Sequence, residues 1–445
     1  MTSSDLFGSL FLPDAMRAAV SDRAWIEAML RFESALAKAS ARAGVIPDDA
    51  AEAIAAAAAD PGRFDAEELG CEARGAGNPA APLVKALTRA VEGDGARHVH
   101  RGATSQDVMD TASMLVAREA RALIVADLDA AATACAGLAG DHRDTLMPGR
   151  TLLQQALPTT FGLRAAGWLV ALLDAGDRLA AVPLAAELGG AAGTLASLGP
   201  EGTRVLAELA AELDLEEPTV PWHTARLRVG ELGAALALTA GTLEKIALDV
   251  ALLAQTEVGE LAEAAGEGRG GSSTLPHKRN PVGSVLAIAC ARRVRGETSI
   301  LLAAMAQEHE RAAGAWHAEW EALGGALAYT GGAVAAVREV LEGLEVNPDR
   351  MRANLDATGG LILAEAVSTA LGEHVGRGEA HDLVGAAARR ATEGGRAFRD
   401  ELLEDSAIRE HLSNKEIDRA LDPAAYLGAA GRFVDRALER HRERR

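Results

Sequence analysis

The sequence predicts an all-α protein, a long central helical bundle flanked by smaller N- and C-terminal helical domains. Three observations carry this. Aromatic residues are only 3% of the 445, and the chain is rich instead in Ala, Leu, Glu and Arg, which lose little on entering a helix. The β-branched and aromatic residues that fill sandwiches and barrels are correspondingly few. Prolines, which cost about 3 kcal/mol in a helix interior and are expelled to its ends, leave three long open runs: Pro82 to Pro148, Pro221 to Pro276, and Pro281 to Pro348.

The elements follow in order. Residues 1–103 are expected to form the N-terminal helical domain, with Ala51–Ala59 as surface helix. Residues 104–346 form the central bundle, whose first long helix opens near Gln106 and runs to the Gly137–Gly140 region. In the second open run Val229, Leu232, Leu236, Thr239, Leu243, Ile246, Val250 and Leu253 alternate spacings of three and four, an a/d-like stripe held over three heptads. That pattern predicts one helix of about 35 to 40 residues, roughly 55 Å long. Leu238, Leu248 and Leu252 lie off the stripe and call for a further neighbour. Residues 347–445 form the C-terminal domain, where glycines break up the run from Pro348 to Pro423.

Charge limits the partners. A net charge of -19 disfavours nucleic acid and anionic membranes, which need a basic face. A small anionic substrate would require a local cluster of Lys, Arg or helix N-termini. Cys71, Cys135 and Cys290 are far apart and lack metal or redox spacing, which reads as buried, reduced thiols. With no basic start followed by a long apolar stretch at Met1–Leu12, and no run of about 20 uninterrupted apolar residues, the expectation is a cytoplasmic protein that spans no membrane.

Three segments do not look like packing. In the first to stand out, glycines at 266, 268, 270 and 271 lead into Ser272-Ser273-Thr274-Leu275-Pro276-His277-Lys278-Arg279-Asn280-Pro281. Glycines give a mobile approach and the two prolines a fixed platform, the combination a closing lid needs. Lys278 is notable because only five of the 45 basic residues are lysines, and a compact ammonium suits a point-charge role. The second segment, His100-Arg101-Gly102-Ala103-Thr104-Ser105-Gln106-Asp107, opens a long helix. Thr104 and Asp107 read as a capping-box variant, and the same helix N-terminus offers donors to a carboxylate. The third, Gly149 to Pro158, carries Arg150, Thr151 and Gln154 and reads by itself as a polar loop between helices.

Together these segments resemble the signature regions of the fumarase and aspartase superfamily, in which groups are added or eliminated across a carbon-carbon bond next to a carboxylate. The Gly-Ser-Ser-x-x-Pro-x-Lys-x-Asn-Pro pattern at 271–281 is the most specific of them. The resemblance extends to Gly77-Asn78, Pro82–Lys85, Gln155–Pro158, Pro221–Arg226, Gln307–Arg311, Trp316 and Trp320, and these point to the branch that lactonises an unsaturated tricarboxylate. It implies an L-aspartase/fumarase-like fold and a reaction needing no cofactor. Ser272 would move the proton on the carbon next to a substrate carboxylate, and Lys278 would supply the positive potential a serine needs for that task. Thr104, Ser105, Thr151, Gln154 and Asn280 would clamp carboxylates, with His100, Arg101, Arg150, His277 and Arg311 as further candidates.

One departure is informative. Lyases of the superfamily carry a His where this chain has Leu152, which cannot titrate. In lactonisation the nucleophile is the substrate's own carboxylate, already anionic, so no base is needed there. The resemblance also implies a homotetramer with composite sites. Geometry agrees, since a helix of about 30 residues spans roughly 45 Å and separates the second and third segments in the chain. No metal is expected, because no His/Asp/Glu group has ligand spacing and His309 with Glu310 reads as a helix-face pair.

Overall fold

The structure is a computed structural model that describes residues 5–264, 275 and 278–444. Ser272 and His277 lie outside the described residues. In chain order the helices are α1 (Asp5–Phe11), α2 (Asp14–Ala19), α3 (Asp22–Arg42), α4 (Asp48–Ala58), α5 (Ala66–Ala76), α6 (Ala80–Ala90) and α7 (Ser105–Asp141). A hairpin of β1 (Leu146–Thr151) and β2 (Gln154–Thr160) leads to α8 (Phe161–Ala180), α9 (Gly202–Leu213) and α10 (Leu227–Leu253). A two-residue strand, β3 (Leu261–Ala262), precedes α11 (Val282–Ala303) and α12 (Ala315–Glu342) and pairs with β4 (Glu345–Val346). Short helices from α13 (Pro348–Asp356), α14 (Ala364–Val375) and α15 (Arg377–Gly394) to a last helix at Ala430–Arg444 complete the chain. Among the described residues the protein is all-α apart from these two small antiparallel pairs and two isolated bridges.

The chain divides into two compact units. One comprises residues 1–128, 174–244 and 286–336, the other 129–173, 245–285 and 337–445. In the first, α3 packs against α4 and α9, and Phe32, Leu36, Ile54, Leu83 and Leu87 fill its core. α4 is therefore more than surface helix: Ala50, Ala51, Ile54, Ala57 and Ala58 are buried. In the second, α14 and α15 pack as a hairpin around Val367, Leu371, Val384, Phe398, Leu402 and Ile417.

The heptad stripe is where the pattern placed it, with all eight residues from Val229 to Leu253 buried. The helix is shorter than the bracketing prolines allow, 27 residues. It stops because the chain turns back on itself: Glu260 N–H donates to the Leu253 carbonyl and Gly259, at φ 63°, donates to Gln255. α7 is long and apolar enough to cross a membrane by length and composition, with 33% of its apolar window buried; Val108, Leu115, Ile124, Leu128 and Cys135 on it are buried. Of the cysteines, Cys135 and Cys290 are buried, but Cys71 is exposed, contrary to the reading of all three as core thiols.

Candidate active site

The segment before α7 is built around a buried carboxylate. Asp107, in the first turn of α7, accepts from the Thr104 N–H at 2.8 Å, so the backbone half of the capping box is present. Its other contacts are the N–H groups of Gly189 (2.9 Å) and Gly190 (3.0 Å) and the Nε2 of His223 (2.6 Å). Thr104 and Ser105 are left half-buried at the mouth of this structure, and Arg101 is exposed. His100, at φ 59°, sets its Nδ1 2.6 Å from Glu33. Burial opposes the charge of His100, but the Glu33 and Asp107 carboxylates more than offset it and raise its pKa above the ordinary histidine value.

Gln106 ties this segment to the interior. Its amide donates to the His223 carbonyl (2.7 Å) and to Asp110 (3.1 Å), while its oxygen accepts from Arg311 (3.2 Å). Arg311 is thus held beside Gln106, the residue that follows Ser105. Deeper in, Arg226 makes a two-pronged bond to Asp110 (2.7 and 3.0 Å) and also grips Glu319; Trp316 donates to Asp110 at 3.0 Å. Such a buried ionic network is held together by complete hydrogen bonding. Burial pushes Glu319 up against the pull of Arg226. Glu187, buried beside Asp107, is pushed up to about 9 despite the Trp222 N–H it accepts.

Gln106, Asp110, Glu187, Arg226 and Glu319 were given no site role from the sequence, although Gln106 and Arg226 lie in stretches that carry the resemblance. The available signal was polar residues at 106, 107, 110 and 111 on the face where an apolar helix starts. Asp107, Glu187 and His223 also form a group with ligand atoms within 4.8 Å of one another, which sequence spacing did not reveal. Their geometry suits protons better than a metal. Metal bonds to such donors are about 2.0 to 2.2 Å, whereas His223 and Asp107 are hydrogen-bonded directly and both Asp107 oxygens already accept backbone N–H groups. His309 and Glu310 lie in the turn between α11 and α12, with His309 at φ 48°, so they are not a helix-face pair.

The remaining candidates belong to the other unit. The third segment is a β-hairpin rather than an interhelix loop: Thr151 pairs with Gln154 and only Leu152 and Leu153 form the turn. Thr151 and Gln154 are exposed at its tip. Arg150 points the other way, into a two-pronged pair with the fully buried Glu260 (2.9 and 2.6 Å) that Asn354 joins at 2.8 Å. It anchors the hairpin. Past the glycine-rich stretch of sequence, Arg279 bonds Glu345 and the Glu263 carbonyl, and the Glu263 carboxylate accepts from the Gly283 and Ser284 N–H groups at the start of α11. Beside that bracing Lys278 is exposed and Asn280 half-buried.

The chain belongs to the lyase family: a family model described as "Lyase" matches residues 12–296, and one for the adenylosuccinate lyase C-terminus matches residues 360–437. Within it, the chain is 48% identical over 442 residues to 3-carboxy-cis,cis-muconate cycloisomerase of Bradyrhizobium diazoefficiens, covering 98% of both chains. It is also 46% identical over 436 residues to nitrosuccinate lyase of Streptomyces davaonensis, covering 95% of this chain and 92% of that one. Among solved structures, the 3-carboxy-cis,cis-muconate lactonizing enzyme from Pseudomonas putida superimposes with a TM-score of 0.93 at 44% identity, over 99% of each chain.

Proposed function

We propose that this protein is a cofactor-independent cycloisomerase that lactonises 3-carboxy-cis,cis-muconate to 4-carboxymuconolactone. The observation that carries the reading is near-full-length identity to cycloisomerases, and Leu152 at the hairpin tip agrees with it. The ring closes when one substrate carboxylate oxygen forms a bond to an alkene carbon. The adjacent carbon, next to a second carboxylate, takes a proton from Ser272. No side chain has to deprotonate the nucleophile, so an apolar residue is tolerated at position 152. Electron density that builds on the second carboxylate is met by Lys278, and the donors of Thr104, Ser105, Thr151, Gln154 and Asn280 hold the substrate's carboxylates through the reaction. Arg150 is committed to Glu260 and acts on the hairpin instead.

The substrate is a small tricarboxylate, and the working form is a homotetramer whose sites combine segments of different subunits. Supporting this are the exposed Leu238 and Leu248 on α10 and Ile300 and Leu302 on α11, apolar surface of the kind obligate subunit contacts cover. Three free cysteines fit a reducing, cytoplasmic setting. A second reading, a lyase acting on a substituted succinate, is favoured by the nitrosuccinate lyase relative. Nitrite leaves as a stable anion and needs no proton, so Leu152 suits that chemistry too.

Mixing the protein with 3-carboxy-cis,cis-muconate and following the diene ultraviolet absorbance tests the first reading. Rapid loss that Ser272→Ala abolishes is expected. An unchanged spectrum from the folded protein would sink it.

A further inference from the structure

We propose that Asp107 is a positioning residue, which fixes where Thr104 and Ser105 present their donors to a substrate carboxylate. The inference rests on the assignment of those two residues to the carboxylate clamp. Asp107 is fully buried and so acts through its neighbours. One oxygen accepts from the Thr104 and Gly190 N–H groups and the other from the Gly189 N–H and His223. The same carboxylate therefore joins the clamp segment to the Gly189–Gly190 turn, and removal of either oxygen orphans two buried donors.

The turn and the segment are also in steric register. Gly190 has φ +69°, and a Cβ there would lie 3.0 Å from the Gly102 carbonyl; a Cβ on Gly102, at φ +81°, would lie 2.4 Å from Leu198. The backbone of Gly102–Ser105 is thus confined from one side by Leu198 and from another by the turn, with Asp107 drawing the two together.

Two variants perturb this joint by unrelated means. Asp107→Asn replaces an accepting oxygen with an amide that faces N–H groups, and Gly190→Ala drives a methyl toward Gly102. Thr111→Val is the control: Thr111 Oγ1 bonds the N–H and carbonyl of Glu187 in the same stretch (2.9 and 3.1 Å) and makes no hydrogen bond to residues 102–105. In the full-length protein, at a temperature where each variant keeps native circular dichroism, Asp107→Asn and Gly190→Ala should each raise KM at least tenfold while changing kcat far less, the signature of lost binding common to ground and transition states. Thr111→Val should lower the melting temperature and leave KM within twofold.

Should Asp107→Asn fail to fold, Gly190→Ala decides. An unchanged KM in the folded variants, or an equal rise in Thr111→Val, would overturn the proposal. Inactivity of the unmodified protein on 3-carboxy-cis,cis-muconate is a failure of the functional reading instead, and the same KM comparison is then made with nitrosuccinate.

Discussion

Glu187 shows how much of this protein's chemistry is decided by single buried residues. Its carboxyl titrates near 9 because burial and the neighbouring Asp107 and Asp110 oppose its charge. Between about pH 4.5 and 9 the folded chain therefore keeps a proton that the unfolded chain has released, and stability declines as pH rises through that window. Glu187→Gln, neutral throughout, should flatten the fall in unfolding free energy between pH 5 and 8 by up to roughly 1.4 kcal/mol per pH unit. Urea denaturation at several pH values measures this, and parallel profiles for the two proteins would contradict it. At this scale the sequence was legible where residues cluster in the chain. Thr104, Ser105 and Lys278 stood out as neighbours of unusual partners, whereas the Asp107–His223 bond joins positions 116 apart and Arg226 meets Asp110 and Glu319 only after folding. No local pattern encodes such pairs.

At the scale of elements, the hairpin at 146–160 is the clearest departure from expectation. A two-residue turn with both central φ positive asks for Asn-Gly, and Leu152 (φ 51°) and Leu153 (φ 67°) stand there instead, with Leu152 97% exposed. The turn signal was absent, so the segment read as a loop. Left-handed backbone costs roughly 1 to 2 kcal/mol per non-glycine residue, and the protein keeps this cost at a tip flanked by Thr151 and Gln154. The double variant Leu152→Asn, Leu153→Gly should raise the melting temperature by a few degrees and, on the proposed function, lower kcat/KM by placing a polar side chain at position 152. Calorimetry beside the diene assay checks both halves. A lower melting temperature would refute the strain, and unchanged turnover would refute a role for the tip in the reaction. By contrast α10 was legible as a stripe but not in length, because its end is imposed from elsewhere in the fold: Arg350 and Asn354 grip the carbonyls of Glu257 and Val258 just beyond it.

For the whole molecule, composition and proline placement were enough to give the all-helical class, since both act along the entire chain. They could not show what covers the apolar surface left off the stripe. Leu238, Leu248 and Leu252 are exposed, so the neighbour their pattern calls for is not supplied by the described residues. The substrate is likewise not set by composition, and the family contains both a cycloisomerase and a nitrosuccinate lyase at nearly equal identity to this chain. The direct measurement is kcat/KM for 3-carboxy-cis,cis-muconate and for nitrosuccinate on one preparation, following diene loss and nitrite release. The cycloisomerase account predicts a preference for the muconate of at least a hundredfold, with a lactone as product. Faster nitrite release than diene loss would contradict it and make the protein a lyase of substituted succinates.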